Sequence, residues 1–356
     1  MNVHLQANEI DTTADPALPR WVFLHAVRVT VGRTPVWLTA TALIATLALA
    51  GALPWFTWYD NALAHHYEPG SLVRGLDETF RFDHRASRGA MEASASSLGG
   101  VLAFLAMLVG TFTAGGWLQV FLEHTEGHSV LRFFYGGSRY FFRFLRVLLV
   151  TLLLLHLLGW LVTGAPWNWL VLDQCFGLED GDLSALGSEL TARKIGFLQD
   201  GLMALGTAIV FAWGDYTRTR LAAHGTQSAV WAGLCSWTLL FAHPIRSLRP
   251  LFFLWVVEAG VLMLAGTLND RIDATLDPSS TKLTVFAMFA LGLCALAWRS
   301  ISRGAHYSVC AQITRSLVRP LARPDPWKRS IGGPGGPRYP IEAGEVGDGD
   351  EYGVSL

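Results

Sequence analysis

The sequence predicts an all-α, polytopic membrane protein with six transmembrane helices. Hydrophobic residues make up 51% of the 356 residues and charged residues only 15%, a composition typical of membrane proteins. The apolar windows run continuously instead of alternating with a period of two, which indicates helices and not barrel strands. Six windows are long enough to cross a hydrocarbon core about 30 Å thick: 36–56, 97–122, 141–163, 195–214, 248–268 and 283–301.

The basic residues indicate how these six helices cross the membrane. The amino-terminal side and segments 123–147, 215–249 and 299–356 hold 19 Lys and Arg residues, against 8 in the alternate segments. Because cytoplasmic segments of membrane proteins carry the excess of basic residues, both termini are predicted to be cytoplasmic.

Residues 20–320 form the predicted transmembrane domain, and a polar tail lies on each side of it. Residues 1–19 lack the basic start and short apolar core of a signal peptide. Residues 321–356 combine Pro, Gly and charge with almost no apolar periodicity, which predicts disorder. This second tail is either a contact for a cytosolic protein partner or simply a solvated end.

Interfacial elbow helices are predicted on the cytoplasmic side before spans 1, 3 and 5. The elbow before span 3, "LRFFYGGSRYFFRFLRVLLV", is predicted to lie in the interface and then to bend into the membrane. The layout of elbow, span, outer loop and returning span then occurs three times, as in the internal repeats of many transporters. At about 100° per residue, one face of the second elbow carries four arginines that we expect to contact anionic lipid headgroups through their phosphates: Arg132, Arg139, Arg143 and Arg146.

Three ionisable residues, Glu258, His156 and Asp200, lie inside predicted spans. A carboxylate near the bilayer centre costs roughly 2 to 4 kcal/mol and therefore usually has a partner. Since the three residues lie at similar depths, we predict an intramembrane polar cluster in which Glu258 shares a proton or hydrogen bond with one of the others. The cluster is either a proton or solute relay, or a neutral, hydrogen-bonded group that fixes helix packing.

A charged pair ends span 4 in "GDYTRTR", where Asp215 and Arg218 are three residues apart and can form an ion pair along a helix. Such a pair at the membrane boundary either fixes the depth and packing of the helix or belongs to a gate beside a pathway.

No metal, cofactor or catalytic residue is predicted. The four cysteines lack CxxC spacing, and "EHTEGH" lacks the residue order of a zinc-binding helix. The arginines lie beside membrane segments instead of forming a soluble basic surface, which argues against nucleic acid as a partner. We therefore expect a protein that is not an enzyme and whose immediate environment is the lipid bilayer.

Four stretches of the sequence carry a resemblance: "GGWLQVF", "FFYGGSRYFFRFLRV", "GDYTRTRLAAHG" and "LLFAHPIRSL". Over residues 20–320 the chain resembles an uncharacterised family of bacterial six-span inner-membrane proteins. More distantly, its layout is similar to the membrane domain of some glycerophosphodiester phosphodiesterases and related permease-like proteins. The resemblance implies a six-span architecture and a bacterial inner-membrane location, but no activity. From the internal repeat and the intramembrane polar residues we expect permease-like handling of a small or lipidic solute, with the Glu258 region as its site. A non-enzymatic accessory or scaffold subunit of a membrane complex is the alternative.

The predicted orientation is testable with single-cysteine variants in a background that lacks the four native cysteines. A cysteine at Ser184 should react with a membrane-impermeant thiol reagent added outside the cell, and a cysteine at Ser330 should not. Labelling of both positions, or of Ser330 alone, would contradict this orientation.

Overall fold

The structure is a computed structural model that describes residues 21–63, 82, 84–122, 128–178, 188–224, 228–274 and 281–317. Within these ranges the chain forms eight helices of ten residues or more and no β-strand. The predicted tails, 1–19 and 321–356, lie outside the described residues. The helices are α1 (Val22–Val31), α2 (Thr34–Leu63), α3 (Arg85–Leu122), α4 (Ser129–Thr163), α5 (Glu189–His224), α6 (Ala229–Ala242), α7 (Pro244–Asp273) and α8 (Thr281–Leu317).

Six of these helices are long and apolar enough to cross a membrane: α2, α3, α4, α5, α7 and α8. Each of them contains one of the six predicted spans, so the prediction of an all-α protein with six such helices is confirmed. The other two, α1 and α6, are apolar but have only 10 and 14 residues. The chain is therefore a multi-pass membrane protein.

Two of the predicted elbows are separate short helices, α1 before α2 and α6 before α7. At the start of α6, the Ser228 hydroxyl accepts a hydrogen bond from the Trp231 backbone N–H at 3.2 Å and caps the helix. The helix ends at Ala242 because the next residue, His243, precedes Pro244 and leaves the helical conformation, with φ −134°.

The predicted bend in the elbow before span 3 is wrong. The whole segment belongs to α4, which is one continuous helix of 35 residues. Its two adjacent glycines, Gly136 and Gly137, are buried against α3. A methyl group built on Gly115 of α3 would lie 2.6 Å from the Gly136 carbonyl oxygen. The glycines thus allow two helix backbones to approach closely and do not form a turn.

The core of the protein is concentrated at one end of the helix bundle. Most buried residues of α3, α5 and α8 lie in their carboxyl-terminal halves, and most buried residues of α4 and α7 lie in their amino-terminal halves. Because these helices alternate in direction, all of these halves meet at the same end, which we call the packed end. The largest fully buried side chains are found here, including Trp117, Tyr216, Phe133 and Phe144.

Toward the opposite end the same helices expose large apolar side chains. Leu153 and Trp160 of α4 are 65% and 54% exposed, and Phe197 of α5 is 69% exposed. A small buried cluster of Trp167, Leu172 and Ile195 is formed there. Surfaces of this kind match the hydrocarbon of a bilayer.

Close contact between α3 and α4 predicts a strong effect of a single methyl group. In Gly136→Ala the new Cβ would lie 2.2 Å from the Cβ of Gln119 and 2.7 Å from the carbonyl oxygen of Gly115. Since a backbone atom cannot move aside without shifting a helix, we expect the free energy of unfolding to fall by about 1 to 3 kcal/mol. Thermal unfolding of the purified protein in detergent measures this change.

Gly110→Ala is the matched control for this prediction because it adds the same methyl group to α3 at a position with no atom within 4 Å. It should leave stability unchanged, or raise it by up to about 1 kcal/mol through helix propensity. Equal effects of the two substitutions would show that the glycine contact does not hold α3 and α4 together.

Candidate functional site

One segment of α5 connects three helices at the packed end. The Trp213 indole N–H donates a hydrogen bond to the carbonyl of Gly233 in α6 at 2.8 Å, and the Tyr216 hydroxyl donates to the carbonyl of Ser247 in α7 at 2.9 Å. Arg220 donates to a further carbonyl of α6. These long-range hydrogen bonds hold α6 and the start of α7 against α5. The residues of α5 that make them lie in or next to the "GDYTRTR" sequence.

A buried carboxylate, Asp215, lies between two arginines in this segment. Its Oδ1 accepts a hydrogen bond from Arg218 at 3.2 Å, and its Oδ2 is 3.8 Å from a guanidinium nitrogen of Arg303 in α8. The side chains of Asp215 and Arg218 are only 2% and 10% exposed, whereas that of Arg303 is 45% exposed. The ion pair predicted at a membrane boundary is therefore present, but as part of a buried contact between two helices.

Glu258 lies against α8 and not against the two residues predicted as its partners. Its Oε2 accepts a hydrogen bond from the Ser302 hydroxyl at 2.6 Å and is 3.9 Å from Nε2 of His306. The side chains of His156 and Asp200 are exposed on α4 and α5. The predicted intramembrane cluster of these two residues with Glu258 is wrong.

The reason is that depth in the membrane does not determine which way a side chain points. The position of Glu258 in its span matched those of the other two residues, but α7 packs against α8, α6 and α1, and has few contacts with α5. The rotation of a helix about its own axis decides which neighbouring helix an acidic residue faces. Depth alone therefore does not identify the partner of Glu258.

The carboxyl-terminal half of α8 carries buried polar side chains at every fourth position, which places them on one face of the helix. Within this set, His306 is fully buried and its ring centroid lies 5.6 Å from that of Trp255 in α7. Tyr307, beside it, is 4% exposed. The four residues of the polar face are Ser302, His306, Cys310 and Thr314.

Several buried polar atoms in this region have no hydrogen-bond partner among the described residues. They are Oδ2 of Asp215, Nε of Arg218 and both ring nitrogens of His306. Buried polar groups in proteins are nearly always satisfied, so a concentration of unsatisfied atoms needs an explanation such as a bound molecule or an exchangeable proton. We call Asp215, Arg218, Glu258, Arg303 and His306 the polar site.

The formal charges of the polar site balance. Asp215 and Glu258 contribute two negative charges, and Arg218 and Arg303 contribute two positive ones. Burying an uncompensated charge is strongly unfavourable, so this balance is a condition for placing four charged side chains between membrane helices. Chemically, the site offers a half-exposed guanidinium, a carboxylate and an imidazole, which can bind a charged group and exchange protons.

Sequence reasoning missed Ser302, Arg303 and His306, all on α8. The predicted span ends at residue 301 and the residues after it belong to a predicted cytoplasmic segment, whereas α8 continues to Leu317. The spacing of polar residues by four after that window was the available signal, since it marks one face of a helix.

The four arginines of the predicted lipid-contacting face lie on the amino-terminal half of α4. Arg139 and Arg146 are exposed, and Arg132 and Arg143 are half-buried. The guanidinium of Arg139 lies 5.7 Å from the ring centroids of both Tyr135 and Tyr140, in range for cation–π contact. Their contact with lipid phosphates stays a prediction.

No protein-family model, curated protein or solved structure was found to match this chain. The resemblance to a family of six-span inner-membrane proteins therefore also stays a prediction, and the functional argument rests on the polar site.

The Asp215–Arg218 pair predicts a coupled effect on stability. Arg218→Leu removes the hydrogen-bonded partner of a carboxylate that is 2% exposed, and we expect it to lower the free energy of unfolding by about 3 to 5 kcal/mol. Adding Asp215→Asn should recover part of that loss because the double variant no longer buries a carboxylate that has lost its hydrogen-bonded arginine. Denaturation of the single and double variants measures the coupling, and additive losses would contradict it.

Proposed function

We propose that this protein is a permease-like, non-enzymatic protein of the bacterial inner membrane, with both termini in the cytoplasm, that handles a small or lipidic solute at the polar site. The observation that carries the proposal is the group of charged and unsatisfied side chains shared by α5, α7 and α8 in a bundle of membrane-spanning helices. Ionisable residues inside membrane domains are costly, and they commonly mark the paths of solutes and ions.

The exposure of the polar site supports a binding role. Asp215 is sealed in the bundle, but the Arg303 side chain beside it is 45% exposed and the Glu258 side chain is 17% exposed. A molecule can therefore reach the guanidinium and the second carboxylate without disrupting the buried pair. In such a site the buried pair of Asp215 and Arg218 stays in place, while the charges of Arg303 and Glu258 remain accessible to a ligand.

The open packing away from the packed end supports access for an apolar or lipidic molecule. Large apolar side chains of several helices are exposed there, so hydrocarbon chains can lie beside the helices.

A scaffold or accessory subunit is the alternative, and one surface favours it. The amino-terminal half of α4 exposes Phe134, Tyr135 and Phe142 near its arginines. Exposed aromatic side chains next to arginines are typical of protein interfaces, and the tail of residues 321–356 is a second candidate contact.

The identity of molecules that co-purify with the protein in mild detergent separates the two functions. Native mass spectrometry should detect a bound small molecule or lipid on the wild-type protein, and Arg303→Gln should lose most of it. Arg299→Gln is the matched control because Arg299 is an exposed arginine one turn earlier on the same helix; it should retain the molecule.

A different result would favour the scaffold. If a stoichiometric protein partner is retained by all three proteins, and no small molecule depends on Arg303, the permease-like proposal is contradicted.

A further inference from the structure

We infer that the polar site binds a phosphodiester-type oxyanion at Arg303 and that a proton bound at Glu258 accompanies it. The inference rests on the proposed function. It names the chemical class of the solute and a proton that binds together with it. It follows from the hydrogen bonds, the exposure and the charge balance of five side chains.

Arg303 is the cation of the site that is least committed to protein contacts. Asp215 is hydrogen-bonded by Arg218 at 3.2 Å, whereas its distance to Arg303 is 3.8 Å, too long for a hydrogen bond. Among the described residues no acceptor is hydrogen-bonded to the Arg303 guanidinium, which carries five donors. A half-exposed guanidinium with unused donors in a fork geometry is suited to bind the oxygens of a phosphate or carboxylate group. Of these, the phosphodiester is the group that the headgroups of a surrounding bilayer present.

Glu258 is placed to take a proton. Its Oε2 is held by the Ser302 hydroxyl at 2.6 Å, and among the described residues Oε1 has no hydrogen-bond donor. A proton from water can add to Oε1 without breaking that hydrogen bond, and the carboxylate then becomes neutral. The guanidinium of Arg303 interacts electrostatically with both Glu258 and Asp215. Protonation of Glu258 therefore removes one of the negative charges that balance Arg303.

Several charged and titratable groups surround Glu258. On α1, which also lies against α7 and α8, the ionisable His25 and Arg28 are exposed, and on α6 Cys235 is half-buried. Within one helical turn of the polar-site residues, α5 and α8 carry these charged and titratable side chains: Asp215, Tyr216, Arg218, Arg220, Arg299, Arg303, His306, Tyr307 and Cys310.

Charge counting then couples the two ligands. With Glu258 ionised the polar site is neutral, and an added anion would leave one negative charge in excess. With Glu258 protonated the site has one positive charge in excess, and a singly charged oxyanion beside Arg303 restores neutrality. Because each ligand removes the charge imbalance that the other creates, proton and anion bind cooperatively.

The phosphodiester can belong to a free molecule or to a lipid headgroup, and two probes distinguish these sources. Dimethyl phosphate is a free phosphodiester, and phosphatidylglycerol in phosphatidylcholine nanodiscs presents the same group on a lipid. Both keep a single negative charge over the pH range of the experiment. Binding is measured from the rise in thermal stability with ligand concentration.

For the wild-type protein we expect the affinity for at least one probe to rise as the pH falls from about 8 to about 5, by up to about tenfold per pH unit. Binding of dimethyl phosphate identifies a free solute, and binding of phosphatidylglycerol alone identifies a lipid headgroup. Absence of binding by either probe, or binding that does not depend on pH, would overturn the inference. This measurement needs no variant, so it does not depend on whether a variant folds.

Two variants test the roles of the individual side chains. Arg303→Gln should weaken binding at least tenfold at every pH, whereas Arg299→Gln should bind as the wild type does. Glu258→Gln, which is permanently neutral, should bind at the high pH as tightly as the wild type does at the low pH. A pH dependence that is unchanged in Glu258→Gln would contradict the role of this residue.

These outcomes are separate from the test of the proposed function. If a co-purified molecule depends on Arg303 but neither probe binds with a pH dependence, the permease-like function stands and only the coupled anion is excluded. If no molecule depends on Arg303, the function itself fails.

Discussion

The buried carboxylate of Asp215 is the contact on which the arrangement of the helices around the site depends. It is 2% exposed, and it is stable there only because Arg218 donates a hydrogen bond to it and Arg303 lies 3.8 Å from it. One of these arginines is on its own helix and the other is on α8, so the carboxylate needs α8 in its observed position. That position in turn places Ser302 and His306 beside Glu258 of α7. One face of α8 therefore provides a partner for each of two carboxylates, Asp215 on α5 and Glu258 on α7.

The hydrogen bonds of α5 extend this dependence to the rest of the packed end. Trp213 and Tyr216 donate to backbone carbonyls of α6 and α7, and side-chain bonds to carbonyls are tolerant of side-chain changes in the partner helix. Arg315 of α8 donates to the carbonyls of Phe121 and Leu122 at the end of α3, at 3.4 and 3.2 Å. The helices are therefore connected by polar contacts around an aromatic core, in an environment where apolar surface alone gives little attraction between helices.

The six membrane helices could be predicted from the sequence because hydrophobic length is a property of each segment by itself. The break at His243 could also be predicted, since a proline constrains the residue before it. The continuity of α4 could not, because Gly136 and Gly137 are compatible with either a turn or a close contact, and only the presence of Gly115 on α3 decides between them. Glu258 could be singled out as a residue that needs a partner, but the identity of that partner depended on helix rotation. Ser302 and His306 were missed because the hydrophobic window ended before the helix did.

The concentration of the core at one end has a consequence for how this protein changes during evolution. At the packed end, shapes are matched atom to atom, as at Gly136, so a substitution there requires a compensating one across the contact. At the other end Leu153, Trp160 and Phe197 are exposed, and the hydrocarbon chains of a bilayer would fit any apolar side chain there equally well. Homologous sequences should therefore diverge freely in one half of every membrane helix while keeping the other half nearly fixed. Comparison over whole helices should then dilute the signal of common ancestry, and we expect it to be retained in the short stretches around residues 111–120, 210–221 and 300–314.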